Sequence, residues 1–223
     1  MADEADNPPF PFANQDADVA VLAAWARRQA EQAHVAAAAS WSSGMPFPLR
    51  AQAVPSLTVS SVIIPVGKTS SGLLVKSNSA VWNSIATALG NDWSLAYKIP
   101  SRQWEEIVAG AFEKAGYDEV VLTPGSSDYG RDVIAFKHGI GCVKILGSVK
   151  AYAPGHNVPY DAVRALIGVI TGEQNTSKGI ITTTSDFPPR IESDPFIAPF
   201  LPTRLELVNG AKLQKWLMDL SKP

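Results

Sequence analysis

Asp132 and Lys150 are the residues whose types and spacing could do chemistry together. Asp132 opens an apolar stretch, Val133-Ile134-Ala135-Phe136, and Lys150 closes a second one that begins at Val143. Gly139-Ile140-Gly141 lies between them. A three-residue loop with a glycine able to take positive φ makes the two stretches a hairpin. Facing residue numbers then add to 280, so His138 faces Cys142, Phe136 faces Lys144, Ile134 faces Leu146 and Asp132 faces Ser148. Side chains alternate along a strand, so Ser148 and Lys150 share a face. Opposed Cβ atoms lie about 4.5–5.5 Å apart and diagonal ones about 7–8 Å, which lets Asp132, Ser148 and Lys150 line one small site. Val133, Ala135, Val143, Ile145 and Val149 read as a buried layer on the other face. A slip of one residue would send the whole set to the wrong face. A carboxylate binds a hard cation such as Mg²⁺, which keeps waters and touches phosphate oxygens. The metal polarises the phosphate and activates a water. A lysine beside it orients that water or stabilises the developing charge. This is the chemistry of a metal-dependent phosphodiesterase. Taken alone, the pair reads more plainly as a turn aspartate and a solvated strand-end lysine.

The neighbouring elements must position these groups. Ser101 is placed to cap a helix that runs to about Ala115, with Trp104, Ile107, Val108, Ala111 and Phe112 as its apolar stripe and Gly116 as its stop. Glu105 flanks that stripe, whereas Glu106 points further out and reads as a first-turn charge. Val120-Val121-Leu122 forms a strand ended by Thr123-Pro124-Gly125, and Gly125 to Gly130 is a polar turn. After Lys150 come a loop at Pro154–Asn157, a helix from about Pro159 to Ile170 and a strand at Gly179–Thr184. A proline-rich link, Phe187–Pro202, leads to a short strand near Leu205–Leu207, an Asn209-Gly210 turn and a helix over Lys212–Leu220. Helical crossovers imply a mixed sheet covered on both faces.

This order and these residues resemble the PD-(D/E)xK nuclease superfamily, and within it the catalytic domain of Mrr-type restriction endonucleases. The resemblance rests on Trp104-Glu105-Glu106-Ile107-Val108, Gly116-Tyr117, Leu122-Thr123-Pro124, Asp128 to Ile134, Val149-Lys150-Ala151-Tyr152, Arg164 to Gly168, Lys178 to Thr183 and Leu205 to Gly210. It covers roughly the second half of the chain. It implies an α/β fold with a restriction-endonuclease-like mixed β-sheet flanked by helices, in the order αβββαβ. It also implies catalytic roles for Asp132, Lys150 and Glu105, with Asp132 and Glu105 holding Mg²⁺ or Mn²⁺. The family keeps Glu or Gln two residues before the lysine, where this chain has Ser148, a weaker and neutral ligand. The implied activity is DNA endonuclease cleavage of double-stranded DNA, in restriction or defence against foreign or modified DNA. Ser148 opens an alternative, a catalytically impaired nuclease-fold protein that binds DNA. A third is a structural or regulatory partner in a larger defence complex. Cutting both strands would favour a homodimer, although no residue pattern specifies one.

Composition bounds these readings. The 223 residues, 46% hydrophobic, suffice for one full domain and a smaller one. The net charge of −2 gives no electrostatic sign of nucleic-acid binding. Any binding patch must come from local clustering, for which Arg131, Lys144, Lys150 and Arg164 are candidates and His156 a further phosphate contact. The single cysteine, Cys142, excludes an intrachain disulfide and a cysteine zinc cluster, and reads as a small packing residue. With an acidic start unlike a signal peptide and no apolar run of transmembrane length, the expectation is a cytoplasmic protein that does not engage membranes. Residues 1–50 combine an acidic disordered start with an alanine-rich helical arm over Asp16–Ala39. Residues 51–98 form a small α/β extension or accessory module. It has strands at Leu57–Ile64 and Gly72–Lys76, a helix over Val81–Leu89 capped by Ser79, and one more strand at Asp92–Lys98. Residues 99–223 are the nuclease-like domain.

Overall fold

The structure, a computed structural model, describes residues 61–125 and 130–222. The expected N-terminal arm and residues 126–129 of the polar turn lie outside the described residues. Among the described residues seven strands form one sheet: β1 (Ile63–Thr69), β2 (Gly72–Ser77), β3 (Glu119–Leu122), β4 (Val133–Lys137), β5 (Val143–Lys150), β6 (Lys178–Thr183) and β7 (Leu205–Val208). Their spatial order is their chain order. Neighbours from β1 to β5 pair antiparallel, and β5–β6 and β6–β7 pair parallel. Among the described residues four α-helices accompany them: α1 (Ser79–Asn91), α2 (Ser101–Lys114), α3 (Tyr160–Gly172) and α4 (Gly210–Ser221). The order from α2 to β6 is the expected αβββαβ. Among the described residues, no helix is long and apolar enough to cross a membrane.

Both faces of the sheet are dry across β3 to β5. Val120, Leu122, Val133, Ala135, Ile145 and Val149 pack in one core with Trp104, Ile107, Val108 and Phe112 of α2 and residues of α1 and α4. The alternate residues Val121, Ile134 and Leu146 pack in a second core with Val163, Leu166 and Ile170 of α3. Continuous apolar runs in β3 to β5 follow from this double burial, and register is fixed by both layers at once. Helix α2 ends as its sequence predicts. Gly116 takes φ +86°, its N–H donates to Glu113 O and the Tyr117 N–H donates to Phe112 O, a Schellman closure in which the Phe112 and Tyr117 rings also meet edge to face at 5.3 Å.

Several local expectations change. Ser101 and Ser79 do not cap their helices; each is the first helical residue, after Pro100 and Asn78, and neither of those makes a side-chain cap bond. The strand expected at Asp92–Lys98 is a 3₁₀ helix over Trp93–Lys98, because the Asp92 carboxylate accepts the Ser94 N–H and turns the chain. Asn209-Gly210 is the start of α4 instead of a free turn, with Asn209 Oδ1 accepting the Lys212 N–H at 3.1 Å. Pro65 does not stop the first strand. It lies inside β1 beside an irregularity between Pro65 and Gly67, which an edge strand tolerates because its outer N–H groups need no ladder partner. The β1–β2 hairpin joins β3, so these two strands belong to the same sheet as β3 to β7. Cys142 is exposed and does not pack in the core, because it lies in the loop before β5, with its Sγ 3.7 Å from His138 Nδ1.

Helix α2 approaches α1 closely at Gly110. A Cβ there would lie 2.6 Å from Trp82 Cδ1 and 2.8 Å from its Nε1, the atom that donates to Ile107 O. Gly110→Ala should destabilise by about 1–3 kcal/mol through overpacking. Gly168→Ala, on a helix face with nothing within 4 Å, should instead stabilise by about 0.5–1 kcal/mol. Urea unfolding of both variants checks the pair; equal behaviour would contradict the packing assigned to Gly110.

Candidate active site

The β4–β5 ladder has the register read from the sequence: Val133 pairs with Gly147, Ile134 with Leu146, Phe136 with Lys144 and Lys137 with Val143. Gly141, at φ +88°, supplies the turn. At the Asp132 end the ladder departs from regularity. The Asp132 N–H donates to Gly147 O at 2.8 Å, and the Asp132 carboxylate replaces a backbone acceptor for β5. Its Oδ2 accepts the Val149 N–H at 2.6 Å and lies 3.4 Å from the Ser148 hydroxyl. Asp132 and Ser148 are both buried. The carboxylate is therefore locked onto the strand that ends, one residue beyond Val149, in Lys150.

Lys150 is half-buried. Its backbone is clamped to β6: it pairs with Thr183, and its carbonyl accepts from the Thr183 hydroxyl at 2.8 Å and the Thr184 N–H at 3.2 Å. Thr184 Oγ1 then holds the next turn through both the N–H and the carbonyl of Tyr152. Among the described residues the Lys150 ammonium has no ion-pair partner.

Glu105 arrives from the opposite layer, at the N-terminal end of α2. Its carboxylate is held by Arg102 at 2.6 Å, and Arg102 also donates to Thr123 O at 2.9 Å. Thr123, buried at the end of β3, donates its hydroxyl to Arg131 O at 2.7 Å and to Asp132 O at 3.0 Å. Glu105 is thus linked to Asp132 through Arg102 and Thr123. Neither of these two carried a role in the sequence reading, although Thr123 stands in the Leu122-Thr123-Pro124 segment that marks the strand end. Glu106, expected to point outward, is half-buried, and burial pushes its carboxyl above the ordinary value of 4.5 against a smaller downward pull from Arg102.

Arg131, Lys144, Arg164 and His156 have different partners. Arg131 and Lys144 both close on Glu173, the residue that ends α3. Arg164 pairs with Asp194 at 3.0 Å and Asp161 at 3.7 Å. His156 is exposed in the loop after β5, in a turn in which its N–H donates to Ala153 O at 3.1 Å.

The donors around Asp132 suit a hard cation. They are oxygens: the Asp132 carboxylate and the Ser148 hydroxyl. Mg²⁺ is commonly held by one or two carboxylates with waters and substrate phosphates completing its shell. Among the described residues there is no cluster of three or more His, Cys, Asp or Glu that could hold a metal unaided. A metal here would accordingly depend on waters and substrate.

Asp132→Ala removes the acceptor from the buried Val149 N–H and should cost about 1–3 kcal/mol. Asp132→Asn retains a carbonyl acceptor and should cost clearly less. Urea unfolding of the two variants measures the difference; equal losses would show that the carboxylate does not satisfy this amide.

A family model for Mrr-type catalytic domains, described as "Restriction endonuclease", matches residues 96–217, more than half of the chain. No curated protein matches the chain. Among solved structures, the MspJI restriction endonuclease in complex with a 27-mer oligonucleotide is similar at 16% identity, over 63% of this chain and 32% of that chain, with a TM-score of 0.42. The DNA modification-dependent restriction endonuclease AspBHI is similar at 17% identity, over 65% of this chain and 36% of that chain, with a TM-score of 0.40. The likeness therefore spans about a third of the length of each of those proteins. By its family match, residues 96–217 on the α2–β7 scaffold that carries Asp132 and Lys150, this chain belongs to the restriction endonucleases.

Proposed function

We propose that the chain is a Mg²⁺- or Mn²⁺-dependent endonuclease that hydrolyses phosphodiester bonds of double-stranded DNA in defence against foreign or modified DNA. The observation that carries this reading is the buried Asp132 carboxylate, fixed to β5 by the Val149 N–H one residue before Lys150. Asp132 offers the hard anionic oxygen, and Glu105 a second once it leaves Arg102. The bound ion would neutralise phosphate charge and lower the pKa of a coordinated water. Lys150, held by the β6 clamp, orients the attacking water or stabilises charge on the phosphate. Thr123 and Arg102 keep the two carboxylates in register with one another. Family membership supports a defence function and a cytoplasmic location by analogy.

Purified protein should nick or linearise plasmid DNA with Mg²⁺ or Mn²⁺ and lose this in EDTA. Lys150→Ala and Asp132→Asn should each lower the rate by about 10²-fold or more, while their unfolding midpoints stay close to wild type. Undiminished cleavage by either variant would sink the assignment.

The second reading, a DNA-binding protein with impaired catalysis, is favoured by one feature: Ser148 leaves a neutral hydroxyl 3.4 Å from Asp132 Oδ2, where the family has a carboxylate or amide. If Ser148 merely weakens the site, Ser148→Gln should keep or raise the cleavage rate. A protein that shifts DNA in EDTA but never cuts it, with or without that substitution, would establish the second reading instead.

A further inference from the structure

The segment between β6 and β7 carries a feature that the cleavage chemistry does not use. Arg190 has φ +67°, an unfavourable backbone conformation for a residue with a side chain. It is held there because its carbonyl accepts both the N–H and the hydroxyl of Ser193, at 3.0 and 2.9 Å, and because the next residue, Ile191, is buried in the core. The Arg190 side chain is exposed, and among the described residues it has no ion-pair partner. It lines a concave surface of about 450 Å³ together with Tyr160, Arg164, Ser193 and Asp194.

Phe196 stands beside this concavity. The residue is 72% exposed although Ile197, the next residue, is completely buried. The Arg164 guanidinium lies 5.8 Å from the Phe196 ring and 5.7 Å from that of Tyr160. Asp194 neutralises Arg164 and also accepts the Phe196 N–H at 2.9 Å. Arg164 is therefore a support for the aromatic ring, and Arg190 supplies the free positive charge. Phe196 and Arg190 are both neighbours of the Arg164–Asp194 pair, and an exposed aromatic ring together with a guanidinium outside any ion pair can bind a nucleotide, the base by stacking and the phosphate by charge. The surface also lies at the sheet end that carries Lys150, because the segments following β5 and β6 are tied by Val158 N–H to Asp186 O and by the Thr184–Tyr152 bonds.

We infer that this surface holds one unpaired nucleotide of the DNA substrate, its phosphate on Arg190 and its base on Phe196. The inference rests on the DNA-cleavage reading for the identity of the polymer. The test uses the full chain carrying Lys150→Ala, so that DNA stays intact. Fluorescence anisotropy is followed for a duplex with a single-stranded overhang and for a blunt duplex, across a range of salt. Arg190→Ala should weaken binding to the overhang probe at least fivefold and reduce the salt slope by about one, and Arg190→Lys should largely restore both. Phe196→Ala should weaken the overhang probe about fivefold or more and leave the blunt duplex unchanged. Equal losses on both probes for Phe196→Ala would overturn the nucleotide assignment. Unchanged binding in both variants would overturn the surface itself. Plasmid cleavage by the chain with Lys150 intact separates the two ideas. Cleavage without any Arg190 dependence of binding leaves the nuclease standing and removes this site. Arg190-dependent binding without cleavage does the reverse.

Discussion

The Val149 N–H to Asp132 carboxylate bond is the contact on which the site depends. A side-chain oxygen stands in for a backbone carbonyl at the point where β4 stops pairing regularly with β5. The bond satisfies a buried amide, and so makes a charged group part of the sheet's own hydrogen-bonding. The distance from carboxylate to lysine is then set by two residues of a strand whose register is enforced from both faces. A residue slip would put Asp132 and Lys150 out of phase and would also expose two apolar layers.

The second layer of control is the end-on arrangement of elements. Asp132 precedes β4, Lys150 ends β5, Thr123 ends β3, and Arg102 and Glu105 begin α2. Residues from opposite faces of the sheet can meet only around the strand ends. Thr123 bridges them because its short hydroxyl reaches two carbonyls, those of Arg131 and Asp132. Arg102 then holds one oxygen of Glu105, so a positive charge on the protein itself keeps that carboxylate in place.

The β4–β5 hairpin was legible in the sequence for a definite reason. A glycine loop fixes the pairing, and alternation then leaves no freedom in which residues face each other. The α2 stripe and its Gly116 stop were legible on the same kind of local grounds. The failures are also local in origin. Asp92 and Asn209 each bond to a nearby backbone N–H and start a helix where apolar content or an Asn-Gly pair suggested a strand or a turn. The charge partners were out of reach for a different reason: Glu173 lies 42 residues from Arg131 and 29 from Lys144, and no periodicity links such positions. Arg190 and Phe196 were likewise invisible within a proline-rich link, since only the folded segment shows which of its residues face outward.

Pro65 has a consequence for how copies of this chain can meet. It sits with its neighbouring irregularity on β1, at one margin of the seven-stranded sheet. A strand that lacks an amide donor and kinks at its centre is a poor template for another strand. Among the described residues, sheet-to-sheet growth across that margin is disfavoured, so β1 is a poor place for two copies of this chain to join strand to strand.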